Sequence, residues 1–144
     1  MNARSGFTLL EILVVVMIIT ILATIVGINV AKEPGRARQA KARAQIGVFR
    51  LALQRYRMEN GRLPTPEQGL QALCVKPEKP PVPERYPEEG YLESRKIPLD
   101  PWQREYVYLS PGPGGEPFIV LSYGADGEVG GTGEDADLSS ADTE

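Results

Sequence analysis

The chain has 144 residues, with sixteen Lys and Arg against nineteen Asp and Glu, for a net charge of −3 at pH 7. That length holds one modest domain plus an N-terminal segment that need not belong to it, and it excludes a second independent core. The absence of histidine removes the commonest general base and metal ligand, and the single cysteine, Cys74, excludes an intrachain disulfide or a thiolate zinc cluster.

The first element in chain order is an apolar run of twenty residues, Ile12 to Ala31, with no charge and only Thr20, Thr24 and Asn29 as polar side chains. As a helix rising ~1.5 Å per residue it is roughly 30 Å long, which matches the hydrocarbon thickness of a bilayer and predicts a membrane-spanning helix. A cleaved secretory signal has an apolar region of only about 7 to 15 residues, so this run is too long for one. Pro34-Gly35 then interrupts the pattern, because proline removes a helix donor and disfavours helix at the residue before it; a kink or short break is expected there.

From Arg36 to Glu59 the apolar residues Ile46, Phe49, Leu53 and Tyr56 recur at spacings of three and four, predicting an amphipathic helix that stops at Asn60-Gly61. Residues 62–103 are rich in Pro, Glu and Gly and read as an ordered, irregular region with a short helix over Pro66 to Leu73, started by Thr65 or Pro66. Cys74, following Leu70, Ala72 and Leu73, reads as a small buried hydrophobe. Asp100-Pro101-Trp102 reads as a turn whose indole packs on a sheet. Glu105 to Ser110 and Pro117 to Ser122 then form an antiparallel hairpin across the turn PGPGGE, covered by the apolar face of the amphipathic helix. The last residues, 139–144 (SSADTE), read as a disordered tail.

Charge is divided unevenly along this order. Residues 1–62 carry ten basic and three acidic side chains, a balance of +7, whereas residues 63–144 carry six basic and sixteen acidic, a balance of −10. A basic stem and an acidic head can attract each other between copies. Nucleic acid is set aside as a partner, because the basic residues lie around a helix with no interleaved aromatics and no binding motif.

Two groups of residues carry a family resemblance. Arg4-Ser5-Gly6-Phe7-Thr8-Leu9-Leu10-Glu11, leading straight into the apolar run, resembles the leader of type IV prepilins. Leu63-Pro64-Thr65-Pro66-Glu67-Gln68-Gly69-Leu70-Gln71-Ala72-Leu73, Gly90-Tyr91-Leu92, Pro98-Leu99-Asp100-Pro101-Trp102, Tyr108-Leu109-Ser110-Pro111-Gly112 and Ser122-Tyr123-Gly124-Ala125-Asp126-Gly127, in that order, resemble the major pseudopilin of type II secretion systems. The resemblance implies an α+β pilin-like fold, a long N-terminal helix packed on a small antiparallel β-sheet. It also implies a leader over residues 1–6, an assembly helix over 7–33 and a head over 34–138. A prepilin peptidase would cut between Gly6 and Phe7 and methylate the amine of Phe7; Glu11 would pair with the N-terminal amine of a neighbouring copy. A carboxylate in a membrane helix is costly and ordinarily has a partner. Ile28 stands where the family often carries proline.

Lys32, Arg36, Arg38, Lys41 and Arg43 outnumber the positive charges before the apolar run, so the positive-inside rule alone would place the C-terminal side in the cytoplasm. The leader resemblance sets the opposite orientation: inner membrane, single pass, head in the periplasm, and after assembly a periplasmic fibre.

The last motif is Asp126 to Asp137, acids on a glycine-rich loop. By composition it reads as a solvated acidic segment, and its spacing is not that of an EF-hand. The resemblance implies Ca²⁺ here, held by Asp126, Asp135 and Asp137 with the backbone carbonyls of Tyr123 and Glu128. Hard oxygen donors on a pliable chain suit that ion.

The expected function is structural: a homopolymer built through the N-terminal helix, working with minor pseudopilins and an inner-membrane assembly platform to export folded proteins. A type IV or competence pilin and a membrane-anchored calcium-binding domain are the alternatives. No enzyme is expected, since no nucleophile, base and orienting group can be assembled from these residues.

Overall fold

The structure is a computed structural model that describes residues 8–30 and 33–142, with the side chains of 24–30 and of Glu33 outside the description. The chain forms two compact units, Met1–Arg36 and Ala37–Glu144.

Helix α1 runs over Leu9–Val30. Thr8 caps it, its Oγ1 accepting the amide of Glu11 at 3.2 Å, which satisfies one of the donors that a helix start leaves open. Helix α2 runs over Glu33–Asn60. Pro34 therefore stands in its first turn, where a missing donor is tolerated; residues 31 and 32, where any break would fall, lie outside the described residues. Gly61 ends α2 with φ 70°, its amide reaching the carbonyl of Arg57 at 2.8 Å.

On α2 the buried residues Ala42, Ile46, Phe49, Leu53 and Tyr56 alternate at spacings of four and three, which keeps them in one stripe, and buried Ala52 flanks it. The stripe packs on a three-stranded antiparallel sheet of order β1-β2-β3: β1 over Val107–Leu109, β2 over Ile119–Ser122 and β3 over Leu138–Ser139. Tyr108 faces Val120 across the first ladder, and Leu121 faces Ser139 across the second. Phe49 meets Tyr106 edge to face at 5.0 Å, and Val120 and Leu138 complete the same core. The expected hairpin is present with shorter strands than the runs 105–110 and 117–122 suggest.

The disordered tail expected over 139–144 is corrected for residues 139–142. Ser139 belongs to β3, and the Oγ of buried Ser140 accepts the amide of Val120 at 3.0 Å. Ser139 enters the sheet, and Ser140, which opens the 3-10 turn that follows, supplies the acceptor that an amide of β2 needs.

Between α2 and β1 the chain is irregular yet tied down. Thr65 and Gln68 cap each other reciprocally, at 3.1 and 3.2 Å, ahead of a 3-10 helix over Leu70–Leu73, the second half of the short helix expected over Pro66 to Leu73. The amide of Tyr91 binds the carbonyl of Leu73 at 2.7 Å. Gly90 permits that approach, since a Cβ there would lie 2.9 Å from the carbonyl oxygens of Leu73 and Cys74. Cys74 is buried, as expected, and burial pushes its thiol pKa up. The Tyr91 hydroxyl donates to Glu59 at 2.9 Å and accepts from Asn60 at 2.9 Å, pinning the irregular region to the end of α2.

Candidate functional site

The first candidate surface is α1. Its large apolar side chains from Leu9 to Leu22 are 46% to 86% exposed. They lie on every side of the helix, with Glu11 as its only charged residue. A helix apolar all round requires lipid or other helices as its surroundings. Among the described residues no helix is long and apolar enough to cross a membrane; the described side chains of α1 stop at Ala23, short of the end of the apolar run at Ala31. Gly6 and Phe7 lie outside the described residues. Glu11 sits in the first turn of α1, where the helix dipole favours a carboxylate.

The second candidate is the loop joining β2 to β3, residues 123–137. It opens with a turn in which the amide of Gly127 binds the carbonyl of Tyr123 at 3.1 Å and the amide of Glu128 binds Asp126 Oδ1 at 3.0 Å. It closes where Gly130 and Asp137 bind each other twice: the Gly130 amide to Asp137 Oδ2 at 2.9 Å and the Asp137 amide to the Gly130 carbonyl at 3.1 Å. The amide of Ala125 joins the two parts through the carbonyl of Glu134, at 3.0 Å. From α2, Gln39 donates to the carbonyl of Gly133 and Arg38 lies 3.8 Å from Glu134.

Asp126 and Asp135 are exposed at the loop's surface and Asp137 is half-buried. Among the described residues no three acidic or cysteine side chains converge closely enough to hold a metal ion. The loop nonetheless offers only oxygen donors, and Asp137 Oδ1 is buried with no hydrogen-bond partner. An unpaired buried carboxylate oxygen is costly unless a proton donor or a cation reaches it. In donor chemistry the loop fits an oxygen-seeking cation, although the carboxylates are not gathered around one point.

The model of the family described as type II secretion system (T2SS), protein G, matches residues 29–141, and that of the prokaryotic N-terminal methylation motif matches residues 1–27. The chain belongs to the type II secretion system protein G family. Type II secretion system core protein G of Pseudomonas aeruginosa is 44% identical over 96% of each chain. That of Vibrio cholerae is 44% identical over 96% of this chain and 92% of its own. The crystal structure of the major pseudopilin from the type 2 secretion system of enterohaemorrhagic Escherichia coli superposes with a TM-score of 0.63 at 35% identity, covering 78% of this chain and 93% of that one. The α+β pilin-like fold expected from the sequence is the fold observed, and this member of the protein G family is a structural, pilin-like subunit.

Two side chains that shape the loop are absent from the site residues expected from the sequence. Asp100 is 1% exposed, and its carboxylate accepts the amides of Trp102 at 3.0 Å and Arg104 at 2.8 Å and the hydroxyl of Ser122 at 2.7 Å. Arg104 sends Nη1 to the carbonyl of Gly124 at 3.0 Å. The Asp-Pro-Trp turn in the sequence signals the first of these; nothing local signals the second.

Proposed function

We propose that this protein is the major structural subunit of a type II secretion pseudopilus, polymerising through α1 to help export folded proteins across the outer membrane. The observation that carries the proposal is a helix apolar on every side, with one carboxylate in its first turn, at the end of the chain that matches an N-methylation motif. Such a helix is stable in a membrane and equally so among copies of itself, so a subunit can pass from one surrounding to the other. Prepilin peptidase hydrolyses the Gly6–Phe7 bond and methylates the released amine. The mature chain waits as a single-pass protein of the inner membrane with its head in the periplasm. In the fibre Glu11 pairs with the amine of a neighbour, and the stem, whose side-chain balance is +6 once Arg4 has left with the leader, complements the −10 of the head on successive copies. An open fibre requires that one face of each copy bind a different face of the next. Minor pseudopilins and the inner-membrane assembly platform are the further partners.

In the same reading Ca²⁺ is held by Asp126, Asp135 and Asp137 with the carbonyls of Tyr123 and Glu128, supplying the positive charge that the loop's carboxylates lack. Binding to the folded state alone stabilises it by about 2.7 kcal/mol when free calcium is 100 times the dissociation constant. Two measurements test the proposal. Intact-mass analysis of the membrane-extracted protein should give a chain beginning at Phe7 and carrying one methyl group; a mass that retains Met1 to Gly6 overturns the prepilin reading. The melting temperature should fall in EDTA, recover with Ca²⁺ more than with Mg²⁺, and lose that response in Asp126→Ala. A melt indifferent to calcium removes the ion from the proposal and leaves the fibre subunit untouched.

A further inference from the structure

The β2–β3 loop carries five acids, Asp126, Glu128, Glu134, Asp135 and Asp137, and no basic residue of its own. Its two parts are held differently. In the second part the orphaned Oδ1 of Asp137 marks a place where a positive partner is wanting. In the first part that partner is already present, as the guanidinium of Arg104. Nη1 donates to the carbonyl of Gly124, and a Cβ added to Gly127 would lie 2.4 Å from both Cζ and Nη1 and 2.7 Å from Nε. The flat group therefore lies against the bare backbone of Gly127, close to the turn that carries Asp126. Any residue but glycine there would evict it.

Arg104 is itself held in place. Its amide binds Asp100 Oδ1 at 2.8 Å, its carbonyl accepts the amide of Asp100 at 2.8 Å, and the other oxygen of Asp100 takes the Ser122 hydroxyl at 2.7 Å. Ser122 lies on β2, two residues before Gly124, so Asp100, Arg104, Gly124 and Ser122 close a ring that ties the Asp-Pro-Trp turn to the root of the loop.

We propose that Arg104 is the positioning residue of the acidic loop: its guanidinium serves as a built-in cation that forms the Gly124–Glu128 turn, and so places Asp126, before any metal binds, whereas the half containing Asp137 keeps an orphaned carboxylate oxygen until an external cation reaches it. The proposal rests on the reading of this loop as a cation site, yet its first half makes a claim about the metal-free protein. The division also explains why Asp126 can reach solvent and still be placed: its turn is built by the guanidinium behind it.

Hydrogen exchange read by mass spectrometry on the full chain in detergent tests this, with wild type, Arg104→Met and Arg104→Lys each in EDTA and in Ca²⁺. The loss of a charge-assisted hydrogen bond corresponds to about a tenfold change in local opening. In EDTA, Arg104→Met should therefore speed exchange of the Gly127 and Glu128 amides about tenfold while leaving residues 46–56 of α2 within about twofold. Arg104→Lys should fall between, because an ammonium can reach the Gly124 carbonyl but cannot lie flat on Gly127. Ca²⁺ should slow exchange at residues 130–137 in all three proteins. Unchanged exchange at Gly127 and Glu128 in Arg104→Met, or equal acceleration in α2, overturns the positioning role. If Ca²⁺ has no effect on residues 130–137 of the wild type, the second half of the proposal falls, and the EDTA comparison still decides the first.

Discussion

Replacing Asp100 by alanine removes a buried carboxylate on which three hydrogen bonds converge. The carboxylate is 1% exposed and accepts three hydrogen bonds, at 3.0, 2.8 and 2.7 Å. Bonds to a charged group contribute about 1.5–3 kcal/mol each, but the mutation also relieves the desolvation of a buried carboxylate, which is itself several kcal/mol. The net loss should be about 2–4 kcal/mol, equivalent for a domain of this size to a fall in melting temperature on the order of 10–25 °C. Asp100→Asn supplies the control. Its Oδ1 can still accept both amides, and its Nδ2 can donate to the Ser122 oxygen, so the loss should stay below about 1.5 kcal/mol. Trp102, the only tryptophan, sits two residues from the substitution, and its fluorescence during urea unfolding of the full chain in detergent reads the loss directly. If the Asp100→Ala protein unfolds within about 0.5 kcal/mol of wild type, or if asparagine is as damaging as alanine, the hydrogen-bond reasoning is refuted.

The two sides of α2 should respond oppositely to truncation. Leu53→Ala, at a residue 0% exposed, should cost about 2–5 kcal/mol, whereas Leu51→Ala, 64% exposed, should change stability by under about 0.5 kcal/mol in the isolated protein; urea midpoints compare them. Alkaline pH should weaken the head, since burial first, and for Tyr91 its bond to Glu59 second, push the Tyr86 and Tyr91 hydroxyls up to about 12 from an ordinary 10.0. The unfolded state releases those protons first, so this stability is complete below about pH 10 and is lost as pH climbs from about 10 towards 12; a urea midpoint that stays level across that window contradicts the burial argument. Glu11→Val should insert and be processed normally, because it removes a charge from the membrane, yet assemble poorly; fibres at wild-type yield from the mutant expressed alone would remove Glu11 from the assembly argument.

Much of this protein is local, and local features are legible in a sequence. The stripe Ile46, Phe49, Leu53 and Tyr56 needs only the helical period to be seen, and all four residues are buried. The apolar run, the stop at Gly61, the hairpin between Tyr108 and Val120 and the burial of Cys74 follow from periodicity, backbone permissiveness and side-chain chemistry in the same way. The order of short motifs along the chain was enough to mark the family.

What the sequence could not determine depends on partners distant along the chain. Leu138 and Ser139 make too short a run to signal a strand, and they become one only because β2 presents an edge that must be paired. Ser140 looks like part of a polar tail until the amide of Val120 needs its hydroxyl. Asp100 reads as an ordinary turn residue, and only the placement of Ser122 beside it, far along the chain, makes it a buried junction. Arg104 has no local signal at all, because its role lies in the bare backbone of Gly127 and the carbonyl of Gly124. Periodicity records which side of an element meets the core; which distant polar group completes a hydrogen bond is settled only when the elements are brought together.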